Sequence, residues 1–478
     1  MASLAQPGTE SLSDLRERFA RSGQDHVFRF WDSLEVAAQD RLARQAGQID
    51  LERLERIHRN ALSLARPRPQ LLEPLPVRPL PERGGDPGER SRAVELGEAL
   101  LAEGRVGVLV VAGGQGTRLG FQGPKGAFPI GPVSSRSLFE LLAQKLHGLA
   151  RRYGRGVPGF VMTSPATDAA IRQLFEENGR FGLDGEGLFF FSQQRVPAID
   201  FEGSLILESP DRIAESPDGH GASIPALRTS GALKQLEERG ISTLFYCHVD
   251  NPLVRIADPS LLGFQALTGA EVACKAVRKR DPLEGLGTLA RLDGRAAVVE
   301  YTEIDEPHRS LRDAEGELVF WAGSIGVHAL DVAFLRRVAG DSESLLPYHA
   351  SPKKIPSVDS SGKRVEPPAA NGYKLERFVF DAFPAARSLV AIEARREEEY
   401  SPIKNATGTA SPESGRRDLV ACYRRWLDAA GIALPEDGDL ALEVDHSWID
   451  GPEDAMALGI HHPAEAQHLI RVAPGVTV

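Results

Sequence analysis

The chain has 478 residues, of which 42% are hydrophobic and 26% charged, and 56 Lys and Arg against 67 Asp and Glu give a formal net charge of −11. This composition is ordinary for a globular protein with several domains, and an acidic balance without a long basic run argues against nucleic-acid or anionic-membrane binding. The apolar runs are too short to span a bilayer, and the first residues carry Glu, Ser and Asp where a signal peptide needs an apolar stretch. We therefore expect a cytoplasmic protein.

Cysteine and lysine are both scarce. Cys247, Cys274 and Cys422 lie far apart, so we expect neither a disulfide framework nor a CxxC metal site. Only ten of the 56 cationic residues are lysine. Each lysine therefore raises the question of why arginine would not serve at that position.

The first ninety residues are predicted to be helical and peripheral. Apolar residues recur at steps of three and four from Leu51 to Leu64, which indicates an amphipathic helix. The Pro-rich and Gly-rich stretch Pro67–Gly88 predicts an extended strap between the N-terminal helices and the main body. A proline-rich ligand for another protein is the alternative for this stretch.

From about residue 96 the pattern indicates an α/β fold with a mainly parallel sheet, because short β-rich runs alternate with helical stretches. Ser137 and Glu140 form the capping box of one predicted helix, and a second predicted helix covers about Pro225–Arg239. The predicted strands are Val106–Val111, Phe160–Met162, Leu188–Phe191, Ile241–Val249, Val272–Val277 and Ala296–Tyr301.

After about residue 395 the alternation stops. A helix over about Arg416–Ala429 and a weakly β-like tail predict a small C-terminal domain. The predicted organisation is thus an N-terminal helical region with its strap (1–95), an α/β domain (96–395) and a C-terminal domain (396–478). Ligands of such a sheet bind at the carboxyl ends of its strands.

The strongest motif is the loop Val111–Gly120 (VAGGQGTRLG), which follows the first strand of the α/β domain and precedes Pro124-Lys125-Gly126. It is not a Walker loop, because Lys125 is not followed by Ser or Thr. It is not a dinucleotide fingerprint either, because Leu119 occupies the third glycine position.

The loop instead combines a glycine cradle with two cations. Gly113, Gly114 and Gly116, followed by Thr117, let the backbone approach a phosphate. Arg118 and Lys125 add the positive charge that suits a triphosphate whose β and γ groups leave as pyrophosphate.

This loop resembles the signature of the eukaryotic-type UDP-sugar pyrophosphorylases, most closely the UDP-N-acetylglucosamine pyrophosphorylases. The resemblance runs from about residue 100 to about 410. It includes the blocks Phe191–Gln194 with Pro197-Ala198, Ser216–Gly221, Val249–Asn251, Val298–Tyr301, Lys353–Pro356, Lys374–Asp381 (KLERFVFD) and Ser401–Asn405 (SPIKN).

The resemblance implies a Rossmann-like nucleotidyltransferase domain at 96–395, with a mainly parallel, mixed central sheet. The implied enzyme makes a UDP-sugar and pyrophosphate from UTP and a sugar-1-phosphate, with Mg²⁺ as cofactor. We expect no nucleic-acid or membrane partner, and a monomer or weak homodimer.

Asp250 is the candidate metal ligand. It ends the apolar strand Leu244–Val249, so its carboxylate is predicted to point into the crevice above the sheet. A carboxylate among phosphate-binding groups becomes favourable when a bound Mg²⁺ reverses the local sign of charge, and the resemblance implies the same role. The alternative is an aspartate that caps the following turn.

Four further residues, in two adjacent pairs, are candidates for contacts with the nucleotide. Gln193 and Gln194 offer the donor and acceptor that the imide edge of uracil requires, and either can be the residue that reads it; a solvated turn is the alternative. Backbone amides at Gly219 and His220, at the entry to a predicted helix, suit a uracil or an α-phosphate. His220 stands where the N-acetylglucosamine branch usually has Asn and is more similar to the UDP-glucose branch; a buried neutral imidazole is the alternative.

Four residues are candidates for sugar contacts. Phe378 and Phe380, two apart, are predicted to face one way on an extended segment. The resemblance places them against the acyl group of the sugar, whereas spacing alone equally allows a core stripe. It also implies that Glu300 accepts hydrogen bonds from sugar hydroxyls. Ser324 stands where the N-acetylglucosamine enzymes usually have an Asn that touches the sugar.

The predicted reaction is attack of the sugar phosphate on the α-phosphorus of UTP, which needs positioning and charge neutralisation rather than a protein nucleophile. Arg118 would stabilise the leaving pyrophosphate, Lys125 with Mg²⁺ on Asp250 the α-phosphate, and Lys404 would hold the attacking phosphate. An ordinary surface lysine is the alternative for Lys404.

The predicted sugar is N-acetylglucosamine, because the KLERFVFD and SPIKN blocks match that branch better than others. UDP-glucose or a broad UDP-sugar activity is the alternative. A non-catalytic nucleotide-sugar-binding protein and a dehydrogenase are the alternatives from other classes.

Overall fold

The computed structural model describes residues 10–64, 71–183, 187–434 and 441–473. In these residues the helices are α1 (Leu12–Arg21), α2 (Val36–Gly47), α3 (Leu51–Leu64), α4 (Pro87–Ala102), α5 (Leu138–Tyr153), α6 (Asp168–Glu177), α7 (Ser223–Thr229), α8 (Ala232–Glu238), α9 (Pro259–Thr268), α10 (Glu306–Arg309), α11 (Val332–Gly340), α12 (Ser342–Leu345), α13 (Arg396–Glu399), α14 (Pro412–Ala429) and α15 (Pro452–Ala457).

The strands alternate with these helices over much of the chain. They are β1 (Leu72–Pro74), β2 (Val77–Arg78), β3 (Val106–Val111), β4 (Gly159–Thr163), β5 (Leu188–Ser192), β6 (Arg195–Pro197), β7 (Ile199–Asp200), β8 (Leu207–Ser209), β9 (Arg212–Ile213), β10 (Glu215–Pro217), β11 (Thr243–His248), β12 (Val272–Arg278), β13 (Thr288–Leu292), β14 (Arg295–Val299), β15 (Ala322–Asp331), β16 (His349–Lys353), β17 (Ser357–Val358), β18 (Arg364–Val365), β19 (Gly372–Glu376), β20 (Leu389–Glu393), β21 (Ala441–Val444) and β22 (Ile470–Ala473).

The described residues form two compact units, each assembled from segments that are distant in sequence. The smaller unit contains residues 10–64, 194–222 and 342–381, and the larger unit contains the remainder. This division follows packing rather than chain order. The sequence-ordered modules 1–95, 96–395 and 396–478 stay a prediction.

An eleven-stranded mixed sheet organises the larger unit. Its main order is β2-β20-β12-β15-β11-β3-β4-β5, and β13, with β14 and β1 beside it, joins at β15. β3 pairs in parallel with β11 and β4, and β4 with β5, whereas β15 runs antiparallel to both β11 and β12. The predicted α/β fold with a mainly parallel, mixed sheet is confirmed.

The apolar runs that predict strands are buried in this sheet. The first five residues of β3, Val106–Val110, are all buried, which is typical of a parallel strand covered on both faces. The predicted capping box is present at α5, where Glu140 Oε2 accepts from the Ser137 N–H at 2.7 Å and Ser137 Oγ from the Glu140 N–H at 3.2 Å. Local sequence signals therefore predict both β3 and α5, the helix that follows the glycine loop.

Two predicted boundaries are wrong. The single helix predicted over Pro225–Arg239 is two helices, α7 and α8, because Gly231 adopts the left-handed conformation with φ of +82° and interrupts the helical path. The strap is extended where β1 and β2 pair with β13 and β20, but α4 already begins at Pro87. Pro67 and Pro69 lie outside the described residues.

The smaller unit packs α1, α2 and α3 with short antiparallel sheets. β16, β19 and β7 form a three-stranded sheet, and β6–β10, β8–β9 and β17–β18 form pairs. Its core contains Phe19, Leu42, Leu54 and Leu375, which are buried. The predicted apolar stripe of α3 is thus on the core side.

The C-terminal segment adds α14, α15 and the antiparallel pair β21–β22. Tyr423 and Leu427 of α14 share one core cluster with Leu138 and Leu141 of α5 and with Ile403. No helix in the described part of the chain is long and apolar enough to cross a membrane.

Candidate active site

The glycine loop follows β3 and is packed more tightly at Gly113 than at Gly114. Ser164 Oγ donates to the Gly113 carbonyl at 2.7 Å, and a Cβ on Gly113 would lie 2.7 Å from Gln193 Nε2. A Cβ on Gly114, in contrast, would meet nothing closer than Lys125 Cε at 3.9 Å. The loop is therefore packed at Gly113 and open at Gly114, on the side where Lys125 lies.

The loop is closed by its own backbone. The Gly116 N–H donates to the Gly123 carbonyl at 2.9 Å, and the Lys125 N–H donates to the Gly114 carbonyl at 2.9 Å. Thr117 and Arg118 lie on a short 3₁₀ helix, Thr117–Leu119, and both are exposed. Arg118 is therefore directed to solvent, whereas Lys125 lies beside the glycine cradle.

Lys125 and Asp250 form an ion pair, with 3.1 Å between Nζ and Oδ2 and side-chain exposures of 19% and 16%. Asp250 follows β11, which lies next to β3 in the sheet, so both partners lie at the carboxyl ends of neighbouring parallel strands. The carboxylate faces a lysine of the glycine motif rather than capping its own turn.

Lys404 adds a second positive charge near Asp250. The Ile403 N–H donates to the Asp250 carbonyl at 2.8 Å, so the SPIKN segment runs along the end of β11. Burial raises the pKa of Asp250, but the charges of Lys125 and Lys404, and of His248 when its imidazole is protonated, act in the opposite direction, and the pKa lies below its usual range. Asp250 is therefore ionised at neutral pH.

His248 lies on the strand end beside this carboxylate. Burial and the charges of Lys404 and Lys125 lower the pKa of its imidazole, against the opposing effect of Asp250. The site therefore favours a neutral imidazole next to an ionised carboxylate.

The donor set fits a magnesium ion that is held largely by its substrate. No cluster of three or more His, Cys, Asp or Glu suited to a metal is found among the described residues. Mg²⁺ is commonly bound by one or two carboxylates together with substrate phosphates and waters. A single ionised carboxylate beside a glycine cradle is consistent with that arrangement.

The structure distinguishes the two candidate glutamines. Gln193 is buried in the larger unit against Gly113, and its Oε1 has no hydrogen-bond partner among the described residues. Gln194 is exposed and belongs to the smaller unit, where its carbonyl accepts from the Asp218 N–H at 3.2 Å. A buried amide oxygen without a partner is costly, so Gln193 is the better candidate to receive a ligand.

Glu300 and Ser324 are brought together by Gly287. The Ser324 N–H donates to the Gly287 carbonyl at 2.8 Å, and a Cβ on Gly287 would lie 3.3 Å from Glu300 Oε1. Glu300 follows β14, and Ser324 lies on β15. Both side chains are half-buried.

Three of the remaining candidate site residues, His220, Phe378 and Phe380, lie close together in the smaller unit. The ring centroids of His220 and Phe378 lie 5.3 Å apart and those of Phe378 and Phe380 5.1 Å apart, both pairs stacked. The Val379 N–H donates to His220 Nδ1 at 3.2 Å, so this nitrogen carries no proton and the tautomer is assigned to Nε2–H. The half-buried imidazole is thus held in one tautomer.

The segment that carries the two phenylalanines is not extended, contrary to the prediction. β19 ends at Glu376, and a 3₁₀ helix covers Val379–Ala385. Asp381 Oδ2 accepts from the Phe378 N–H at 3.2 Å and closes the turn between them. The rings face one way because the turn stacks them, not because of strand alternation.

A buried ion pair supports this aromatic group. Asp218 and Arg377 are almost fully buried and paired, and the Arg377 N–H donates to the Asp218 carbonyl at 2.9 Å. A Cβ on Gly219 would lie 2.5 Å from the Arg377 carbonyl oxygen. Glycine is therefore required at 219 for the two segments to approach.

Three residues with close ties to the site were not predicted from the sequence. Ser164 holds Gly113, Asn251 contacts the segment before Lys404, and buried Lys145 donates to the carbonyls of Pro252 and Val254, both at 2.7 Å. Two signals could have found them: Ser164 and Asn251 follow strands, and Lys145 is one of the rare lysines.

Known proteins are similar to this chain over most of its length. Residues 91–414 match the family UTP–glucose-1-phosphate uridylyltransferase. The chain belongs to this family. It is 39% identical over 454 residues to human UDP-N-acetylhexosamine pyrophosphorylase-like protein 1, covering 89% of each chain. It is 34% identical over 447 residues to the UDP-N-acetylglucosamine pyrophosphorylase of Saccharomyces cerevisiae, covering 90% of this chain and 94% of that protein.

A solved structure extends the similarity to the fold. The uridine diphosphate N-acetylglucosamine pyrophosphorylase from Trypanosoma brucei, in complex with inhibitor, matches with a TM-score of 0.82 at 28% identity, covering 95% of this chain and 96% of that chain. The predicted family and the predicted enzyme class, a uridylyltransferase acting on UTP and a sugar-1-phosphate, are confirmed. The cytoplasmic location and the monomer or weak homodimer stay predictions.

Proposed function

We propose that this enzyme makes UDP-N-acetylglucosamine and pyrophosphate from UTP and N-acetylglucosamine-1-phosphate. The ion pair of Lys125 and Asp250 carries the proposal, because it joins a cation of the glycine loop to a carboxylate at the end of the neighbouring strand. The sugar rests on the relatives, several of which are named for N-acetylglucosamine or N-acetylhexosamine.

The proposed reaction is an in-line displacement at the α-phosphorus of UTP. An oxygen of the sugar phosphate forms the new bond to phosphorus, the bond to the bridging oxygen of the β-phosphate breaks, and pyrophosphate leaves with its electron pair. No protein nucleophile is needed, so the residues act by positioning and by neutralising charge.

The cations divide this work in the proposal. Lys125 stabilises the charge at the α-phosphate, exposed Arg118 receives the leaving pyrophosphate, and Lys404 holds the attacking sugar phosphate. The lowered pKa of Asp250 supports the electrostatic part of this assignment, because both lysines contribute to the lowering.

We propose that Asp250 holds Mg²⁺ together with the substrate phosphates. A bound Mg²⁺ supplies charge neutralisation and orientation of the phosphate oxygens. Asp250 is suited to this because it is ionised and largely buried. If so, acid should weaken metal binding, since protonation removes the carboxylate charge as the pH falls through the pKa.

Base and sugar recognition follow from the remaining candidates of the larger unit. Gln193 offers a buried amide whose Oε1 has no partner in the part of the chain that the structure describes, and such an amide suits the imide edge of uracil. Glu300 would accept from sugar hydroxyls beside Ser324. The roles of Gly219, His220, Phe378 and Phe380 stay predictions. Recognition of uracil by Gln194 also stays a prediction.

Glucose-1-phosphate is the second candidate substrate. Ser324 lacks the amide that the N-acetylglucosamine enzymes usually present, and His220 is more similar to the UDP-glucose branch. The description of the matching family also names glucose-1-phosphate.

The test is pyrophosphate release from UTP and Mg²⁺ with N-acetylglucosamine-1-phosphate, glucose-1-phosphate or galactose-1-phosphate in separate reactions. Release mainly with the first supports the proposal and makes Ser324 a tolerated substitution. Release mainly with glucose-1-phosphate means that Ser324 and His220 indicate the true sugar specificity. Binding of UTP without release from any of the three favours a non-catalytic binding protein.

A further inference from the structure

Asn251 makes two hydrogen bonds that no role assigned so far explains. Its Nδ2 donates to the Glu399 carbonyl at 2.7 Å, and its Oδ1 accepts from the Ser401 N–H at 3.0 Å. The side chain is buried, with 5% of the residue exposed. All of these contacts lie within the larger unit.

The pattern imitates strand pairing. In a parallel β-ladder, one residue donates to the carbonyl of the residue before its partner and accepts from the amide of the residue after it. The primary amide of Asn251 supplies the same donor and acceptor to residues 399 and 401, on either side of Tyr400. Only an amide provides both groups at this length, because aspartate lacks the donor and leucine lacks both.

The clamped segment leads directly to Lys404. The Ile403 N–H donates to the Asp250 carbonyl at 2.8 Å, and the Ile403 side chain is fully buried. The Lys404 N–H then donates to the Ala410 carbonyl at 2.7 Å. The backbone is thus held at 399, 401, 403 and 404, and the first three attachments are made to Asp250 and Asn251.

One residue therefore links the two sides of the site. Asn251 is the chain neighbour of Asp250, the candidate metal ligand, and its side chain fixes the segment that presents Lys404. The side chain of Lys404 is exposed, so its place depends strongly on the backbone that carries it.

We infer that Asn251 is a positioning residue, which holds the segment 399–404 so that Lys404 meets the attacking sugar phosphate while Asp250 serves the nucleotide side. This inference rests on the proposed function, in which Lys404 contacts the sugar phosphate. Asn251 touches no reacting atom in it and acts through Lys404.

The kinetic experiment compares Asn251→Asp, Asn251→Ala, Lys404→Met and the two double variants, by pyrophosphate release. Each Asn251 variant should raise KM for the sugar phosphate by about fivefold or more, while KM for UTP changes by less than about twofold. In the Lys404→Met background the same substitutions should add less than about twofold, because the clamp then has no charge to position. Additive effects, or an equal rise in both KM values, would overturn the inference.

Asn178→Asp is the matched control, since this residue makes a single amide bond to the Leu174 carbonyl at 2.8 Å at the end of α6. It should leave both KM values within about twofold of the wild type. Asn251→Ala covers the case in which the buried carboxylate of Asn251→Asp prevents folding.

Hydrogen–deuterium exchange of the full chain gives a second readout that does not need activity. In Asn251→Ala the amides of Ser401, Ile403 and Lys404 should exchange faster, and the peptides of β3 and β4 should not change. Unchanged exchange at 401–404 rejects the clamp even in an active enzyme. No pyrophosphate release by the wild type with any sugar phosphate rejects the proposed function instead, and with it the role of Lys404.

Discussion

Replacing Lys125 with Met should lower kcat and shift its pH dependence at the same time. Nζ lies 3.1 Å from Asp250 Oδ2, and both side chains are more than four-fifths shielded from solvent. At an effective dielectric constant of about 20, two unit charges at that separation attract by about 5 kcal/mol. An uncharged side chain of similar length removes this attraction, together with any stabilisation of the α-phosphate.

The catalytic part of the loss should be on the order of 10²- to 10³-fold in kcat, or about 2.7–4 kcal/mol, as for other lost stabilisers of transition-state charge. The electrostatic part acts on Asp250. Lys125 is the largest of the charges that lower its pKa against burial, so that pKa should rise in the variant. Activity that needs the ionised carboxylate is lost as the pH falls through the pKa, so the acid limb should move to higher pH.

The assay is initial-rate pyrophosphate release across the acid range for the wild type, Lys125→Met and Lys125→Arg. Arginine keeps the charge in a bulkier planar group, so Lys125→Arg should retain an acid limb closer to that of the wild type. Lys234→Met is the control, since that lysine is exposed and pairs with Glu238 at 3.2 Å on α8. A kcat within about twofold of wild type and an unmoved acid limb in Lys125→Met would refute the reasoning.

Three further outcomes are expected. Asp218→Asn leaves the guanidinium of Arg377 buried without its countercharge and should lower the free energy of unfolding of the smaller unit by about 3–5 kcal/mol in a urea titration; a loss below about 1 kcal/mol would contradict the pairing. Gly113→Ala should lower the melting temperature, because its methyl group would lie 2.7 Å from the amide of Gln193. Gly114→Ala should leave the melting temperature unchanged and weaken UTP binding, measured by calorimetry. Equal losses of stability in the two variants would show that both positions are packed. Ser324→Asn should raise the ratio of kcat/KM for N-acetylglucosamine-1-phosphate over glucose-1-phosphate by about fivefold or more, and an unchanged ratio would remove this residue from sugar selection.

Much of the larger unit could be predicted from local patterns. The apolar runs locate β3, β4, β5, β11 and β12 to within about two residues, because a strand buried on both faces leaves an uninterrupted apolar run. The glycine loop and Asp250 follow from the rule that ligands bind at strand ends. Their pairing through Lys125 is consistent with that prediction.

Local patterns fail where conformation depends on backbone turns or on distant partners. The break at Gly231 is a single left-handed residue, and the Ser230-Gly231 pair is a short turn signal inside a helical pattern that continues on both sides. The stacking of Phe378 and Phe380 results from a 3₁₀ turn closed by Asp381, whereas their spacing equally suits a strand.

The amino-acid sequence by itself determined the α/β class, the phosphate loop, the family and the candidate charges, because each is encoded in a short run of residues. Only the tertiary structure decided which glutamine is buried, which cation pairs with Asp250 and how Asn251 holds the segment before Lys404. Those contacts join residues 125, 148 and 150 positions apart. Side-chain hydrogen bonds act over about 3 Å, so only folding determines which of many possible partners meet.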